Sequence, residues 1–123
     1  LNDLTAYLAT LSPPDNPNLE KRPFDQLAEG GQLFAASCAG CHSGAGLSDR
    51  QAHPLTGGLS FGEDIDTPSL RGVFATAPYL HDGSARTLRQ VFGGAVPALK
   101  GHDLRGKLTE TQAQALEAYL QTL

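Results

Sequence analysis

Ser37 to Gly44 reads SCAGCHSG, and it holds both cysteines of the chain, Cys38 and Cys41, with His42 directly after the second. Thiols and an imidazole at this spacing admit four chemistries: a disulfide, a metal site, a redox dithiol or a covalent haem. A disulfide here closes a very small loop and stabilises little. A thioredoxin-like dithiol needs a βαβ setting, which the chain does not suggest. A four-ligand zinc site needs two more donors; His53, His81 and His102 are available, but no second paired motif appears. Cys-x-x-Cys-His is the attachment pattern of c-type haem. Its spacing lets two thioethers reach both vinyl positions of one porphyrin edge, while the histidine ring swings under the iron. The expected cofactor is therefore one haem c, tethered by Cys38 and Cys41, with His42 as proximal metal ligand.

The other side of the iron is a separate question. Methionine is the usual distal ligand of electron-transferring cytochromes, and this chain contains none. Three further histidines remain. His53, in QAHPLTGG, reads as a surface or rim residue. His81 sits in APYLHDGSA, where Asp82-Gly83 signals a turn; bonding to a haem propionate or to backbone is its structural alternative. His102 lies in LKGHDLRGK, sixty residues beyond His42, which is enough chain to pass around the haem edge.

The surrounding chain must position these groups with modest means. Its 123 residues suit one domain, aromatics are few, and 14 glycines with 8 prolines imply many loops. A large apolar cofactor would supply buried surface that the side chains lack. The formal charge of −4 argues against nucleic acid as a partner. No apolar run is long enough to span a membrane. No secretory signal is visible and the first residue is Leu1, so processing or a longer parent chain is expected.

Two segments resemble each other. Leu4 to Leu11 reads LTAYLATL and Leu116 to Leu123 reads LEAYLQTL, identical at six of eight positions. Both carry apolar residues at helical spacing. In the second, Leu116, Tyr119, Leu120 and Leu123 share a face, and Thr109 with Gln112 forms a capping-box pattern. The expected organisation is a closing helix of a preceding domain at residues 1–11, a Pro/Asn-rich linker at 12–22, and one domain at 23–123. Within that domain, Pro23 to Ser37 reads as a helix with Leu27, Leu33 and Phe34 as apolar positions. Gly30 and Gly31 weaken it unless they serve close packing against another helix or a flat ring. Residues 43–67 read mostly as loop, Thr87 to Phe92 as a short helix, and no segment reads convincingly as strand. The expected fold class is all-α, a loop-rich cytochrome c-like arrangement of helices around one covalent haem.

The block from Thr67 to Phe92, TPSLRGVFATAPYLHDGSARTLRQVF, closely resembles the C-terminal haem domain of bacterial di-haem cytochrome c peroxidases. It is similar also to the related di-haem enzyme that matures the tryptophan tryptophylquinone of methylamine dehydrogenase. The resemblance extends over residues 16–123. It implies that this domain is the electron-transferring half of a larger redox protein. The family's methionine ligand falls near Ala95, within FGGAVPALKGHDL, where none stands. Superfamily members similar to this chain carry a histidine shortly before the closing helix, which favours His102 as distal ligand over His81 or an open site. The resemblance also implies that Arg71 pairs with a haem propionate and that Tyr79 packs on or hydrogen-bonds near the ring, with ligation by Tyr79 a remote alternative. It places Pro68, Leu70, Val73, Phe74, Pro78 and Leu80 in the haem-pocket wall, where dryness tunes the potential.

The expected function is one-electron transfer by a bis-histidine haem c domain, in a periplasmic or extracellular setting because CxxCH attachment takes place there. The expected partner is a redox protein or a preceding domain of the same polypeptide. One rival is a peroxidase-type enzyme with open or weakly ligated iron, for which Asp82, Glu63, Asp64 or His81 would serve as acid or base. Another is a haem module appended to a quinoprotein or propeller, separated from the first reading by what precedes Leu1.

Overall fold

The computed structural model describes residues 1–12, 14–54, 64–94 and 101–123. Among the described residues four α-helices carry the fold: α1 (Asn2–Thr10), α2 (Phe24–Ser37), α3 (Leu88–Gly93) and α4 (Glu110–Leu120). A 3₁₀ turn spans Val73–Ala75. Two short strands, β1 (Ala52–His53) and β2 (Ile65–Asp66), pair antiparallel with Ala52 opposite Asp66. This short ladder leaves the fold mostly helical and loop-rich, in keeping with the expected all-α class. Two residues carry too little alternation to be read as strand.

Local chemistry accounts for the helix ends. The Thr87 side chain accepts from Gln90 N at the start of α3. At α4, Thr109 Oγ1 accepts from Gln112 N at 3.2 Å, and Gln112 Oε1 accepts from Thr109 N at 3.0 Å, a complete capping box. Thr109→Ala removes half of that exchange. It is expected to cost about 1 kcal/mol, measurable as a lowered midpoint in denaturant unfolding with an unchanged slope.

The core lies where α2, α3 and α4 meet. Phe34, Val73, Leu88, Phe92, Ala113, Leu116 and Leu120 form its buried cluster, with Leu33, Tyr119 and Leu123 packed against it. Of the apolar positions read from periodicity, Leu33 and Phe34 of α2 and Leu116, Tyr119, Leu120 and Leu123 belong to or pack against this core, whereas Leu27 is only half-buried and stands outside it. Gly30 and Gly31 answer the question their presence raises. A Cβ on Gly30 would stand 2.2 Å from the Ala115 carbonyl oxygen, and one on Gly31 would stand 3.2 Å from the Tyr119 ring. The glycines let the two helices close, and Phe34 meets the Tyr119 ring at a 5.4 Å centroid distance.

The Pro/Asn-rich linker is tied down rather than free. Asn16 Nδ2 and Asn18 Nδ2 both donate to the Gln121 carbonyl, at 2.9 and 3.3 Å, and Arg22 donates to the Gln121 side chain. These bonds satisfy a carbonyl that the end of α4 would otherwise leave to solvent. By contrast α1 has no buried residue. Leu4, Tyr7, Leu8 and Leu11 are all more than half exposed.

Candidate functional site

Helix α2 ends at Ser37 and delivers the CxxCH directly into the site. Cys38 caps it, with Cys38 N donating to Phe34 O at 2.8 Å. The next turn closes through His42 N to Cys38 O at 2.9 Å, so the histidine follows the two thiols around one tight turn. The cysteines are not joined to each other. Burial pushes the Cys38 thiol up to about 11. A thiol that stays protonated at neutral pH disfavours a reactive dithiol. Thioether attachment does not ask for one.

His42 is buried, and its Nδ1 lies 3.2 Å from the Leu47 carbonyl oxygen. Engaging Nδ1 in this way leaves Nε2 free for a metal and fixes the ring plane. Leu47 has φ +52°, unusual for a branched side chain, and this backbone turn aims its carbonyl. The loop then folds back through Asp49 N to Cys41 O at 2.8 Å and Ser48 N to Ser43 O at 2.9 Å.

The Thr67-to-Arg71 segment is stitched to that loop. Ser48 Oγ donates to Thr67 O, Ser69 Oγ to Gly46 O and Arg71 Nε to Ala45 O, at 2.7, 2.7 and 2.6 Å. Gly72 N then donates to the terminal Leu123 O at 2.8 Å, binding the same segment to the end of α4. Arg71 itself is exposed. Of the expected pocket wall, Val73 is buried, Leu70, Phe74 and Leu80 are half-buried, and Pro68 and Pro78 are exposed. Tyr79 is half-buried with its hydroxyl donating to Val73 O at 3.0 Å. Burial, then the nearby Glu117 charge, raises its pKa and keeps the phenol neutral.

Tertiary folding brings His102 to His42. Their ring centroids are 6.3 Å apart with planes inclined by 25°. Two imidazoles bound to opposite sides of one iron at about 2.0 Å stand roughly 6 Å apart centroid to centroid, so the observed pair has the spacing of a two-histidine site. His102 Nδ1 is buried without a hydrogen-bond partner among the described residues, and a buried unpartnered nitrogen requires an explanation. Burial, then the proximity of His42, lowers the His102 pKa. The ring is therefore held neutral, the form that binds a metal. Its loop is secured by Leu104 N to Phe92 O at 2.9 Å and by the Asp103–Arg105 ion pair. The position near Ala95 that the resemblance matches to methionine lies outside the described residues, as does Glu63.

The remaining candidates stand differently. His81 is exposed in the Tyr79–Ala85 turn, where Gly83 adopts φ +69° and Tyr79 N donates to Ala85 O. Asp82 is exposed and accepts from Ser84 N, and the bonds from Ser84 hold its carboxyl below the usual range. Such a group is a poor proton donor at neutral pH. His53 is half-buried, with Nε2 2.7 Å from Asp49 Oδ2. Donor atoms of Cys41, Asp49 and His53 lie within 4.8 Å of one another. Sequence reading missed Asp49 and the Leu47 carbonyl. An Asp two residues before Gln51 is a side-chain turn signal that would have drawn attention to the first. The backbone carbonyl has no sequence signature.

The Cytochrome c family matches residues 27–123. The chain is 31% identical over 150 residues to the cytochrome c peroxidase Ccp of Escherichia coli, covering 98% of this chain and 31% of that protein. It is 30% identical over 138 residues to the methylamine utilization protein MauG of Methylorubrum extorquens, covering 82% and 38%. Hydrazine synthase subunit gamma of Kuenenia stuttgartiensis is 36% identical over 66 residues, covering 54% and 19%. The chain thus spans at most about two-fifths of these relatives' length. Among solved structures, hydrazine synthase of Kuenenia stuttgartiensis superposes with a TM-score of 0.76 at 23% identity, over 98% of this chain and 54% of that one. A MauG-like protein associated with microbial copper homeostasis gives 0.62 at 24% identity, over 85% and 48%.

Proposed function

Since the chain belongs to the cytochrome c family and carries haem c through Cys38 and Cys41, we propose that it is a one-electron-transfer domain whose iron is held between His42 and His102. The observation that carries this reading is the approach of the two imidazoles across sixty residues of chain. Haem c, when bound, supplies an iron that gains and loses one electron. The protein's own residues do the rest. Cys38 and Cys41 anchor the group, Leu47 O orients His42, and burial of His42 and of the His102 Nδ1 atom limits access of water. A ligand pair that does not change on reduction keeps reorganisation small. Two imidazoles also hold the potential below that of a His/Met relative. Arg71 and His81 are proposed as the residues that neutralise or hydrogen-bond the propionates, with Phe74 and Tyr79 against the ring.

The domain is proposed to act within a larger redox protein, exchanging electrons with a preceding domain or an external redox partner in the periplasm or outside the cell. Its length relative to the multi-domain relatives supports this. Among the described residues no helix is long and apolar enough to cross a membrane.

Low-temperature EPR of the ferric holoprotein tests the ligation. A low-spin signal of imidazole–imidazole character is expected. A substantial high-spin signal would overturn the closed site and favour a peroxidase-type reaction, to be pursued by peroxide kinetics. Attachment is tested separately. A Cys38→Ser, Cys41→Ser double variant is expected to lose all covalent haem, read as haem staining at background level after denaturing electrophoresis.

A further inference from the structure

The carbonyl that fixes His42 stands on backbone that does not hold itself. Leu47 at φ +52° and Arg50 at φ +57° both occupy the left-handed region, where a Cβ is strained. Such a conformation persists only where its surroundings over-determine it. Between the two lie Ser48 and Asp49, and their bonds reach separate parts of the chain. Asp49 N donates to Cys41 O at 2.8 Å, closing the loop on the CxxCH turn. Asp49 Oδ1 accepts from Gln51 N at 3.0 Å, and Oδ2 lies 2.7 Å from His53 Nε2 in β1. Ser48 Oγ donates to Thr67 O at 2.7 Å and accepts from Arg50 N at 3.0 Å. Thr67 N in turn donates to Gln51 O.

Asp49 thus joins the CxxCH turn to β1. Its side chain is only 19% exposed, so water competes little for its bonds. The Gln51 N–H, ahead of His53 and the Thr67 side chain, holds its carboxyl below the usual carboxylate range against the loss of hydration. It is therefore an acceptor at neutral pH. With the Cys41 sulfur committed to the thioether, Asp49 and His53 are left to bond each other rather than to complete a three-donor metal site. A firmer bond from an imidazole Nδ1–H makes the ring a stronger donor to metal, which favours ferric iron. We propose that Asp49 is a positioning residue for the iron: by locking the loop of residues 43–50 to β1, it holds Leu47 O on His42 Nδ1 and keeps the reduction potential low. This rests on the reading of His42 as proximal ligand.

The test compares Asp49→Ala with Asp49→Asn in the holoprotein. Asparagine removes the charge but keeps an oxygen for Gln51 N and an amide that His53 Nε2 can accept. Alanine removes all three. Asp49→Ala is expected to speed exchange of the His42 Nδ1 proton about tenfold, read by NMR of the ferrous form. It is also expected to shift the reduction equilibrium about tenfold toward ferrous iron, about 59 mV for one electron. Asp49→Asn is expected to behave as the unsubstituted protein in both measurements. Equal potential shifts in the two variants would mark a bare charge effect and overturn the proposal, as would unchanged proton exchange in Asp49→Ala. If Asp49→Ala yields no folded holoprotein, His53→Ala, which breaks only the tie to β1, is read instead. Faster exchange there supports the proposal, and unchanged exchange overturns it. The EPR signal of the unsubstituted holoprotein is recorded in parallel. A wrong ligand set shows in that protein, whereas a wrong assignment of Asp49 shows only in the variants.

Discussion

Replacing His102 by alanine is expected to convert the ferric haem almost completely from low-spin to high-spin. Its ring stands 6.3 Å from the His42 ring, and its buried Nδ1 has no partner among the described residues. Alanine offers no donor, and water or an added ligand takes the sixth position. Water is a weaker-field ligand than imidazole, so the spin state reports the loss directly. Added imidazole is expected to restore the low-spin spectrum, which a merely unfolded variant would not allow. His81→Ala serves as the control, with no change of spin state expected, since that side chain is exposed. Optical and EPR spectra of the two variants decide the matter. An unchanged low-spin spectrum in His102→Ala removes this residue from the iron; conversion in His81→Ala instead would move the ligand to the APYLHDG turn.

Among the described glycines, Gly30→Ala is expected to be the most damaging change to alanine. The new Cβ would lie 2.2 Å from Ala115 O and 2.6 Å from Tyr119 Cβ. The first of these is backbone, so relief requires α2 and α4 to move apart along their main contact. Alanine gains roughly 1 kcal/mol of helix propensity over glycine, but overpacking of this kind costs about 3 kcal/mol or more. The net loss of about 2 kcal/mol corresponds to a fall in melting temperature of roughly 5–15 °C for a domain of this size. Gly31→Ala provides the contrast. Its Cβ would meet only the Tyr119 ring, at 3.2 Å, and a ring edge can give by a few tenths of an ångström. That variant is expected to be close to neutral. Thermal unfolding followed by far-ultraviolet circular dichroism checks both. If Gly30→Ala melts with the parent protein, the close helix contact is not what this glycine is for.

The two experiments fall on opposite sides of what could be read without a structure. The CxxCH, the capping box at Thr109, the cap at Thr87 and the apolar faces of α2 and α4 all depend on residues within a turn or two of each other. Covalent attachment and capping are short-range, and helical periodicity is visible in any window of the chain. Hence the cofactor, the helical class and the helix ends were determined by the sequence alone. The spacing of His102 from His42 was different in kind. Sequence narrowed the distal candidates to a few histidines, because no methionine is present, but not to one. The approach of the two rings depends on the Leu104–Phe92 bond, on the clasp between Thr67–Arg71 and the CxxCH loop, and on α4 closing over the glycines of α2. The clip from Asn16 and Asn18 to Gln121, the β1–β2 ladder and the exposure of the α1 face belong to the same class. Each joins segments far apart in sequence, or reports the lack of such a join. Local residue patterns carry no record of that, since only the packed chain decides which distant atoms share a dry space.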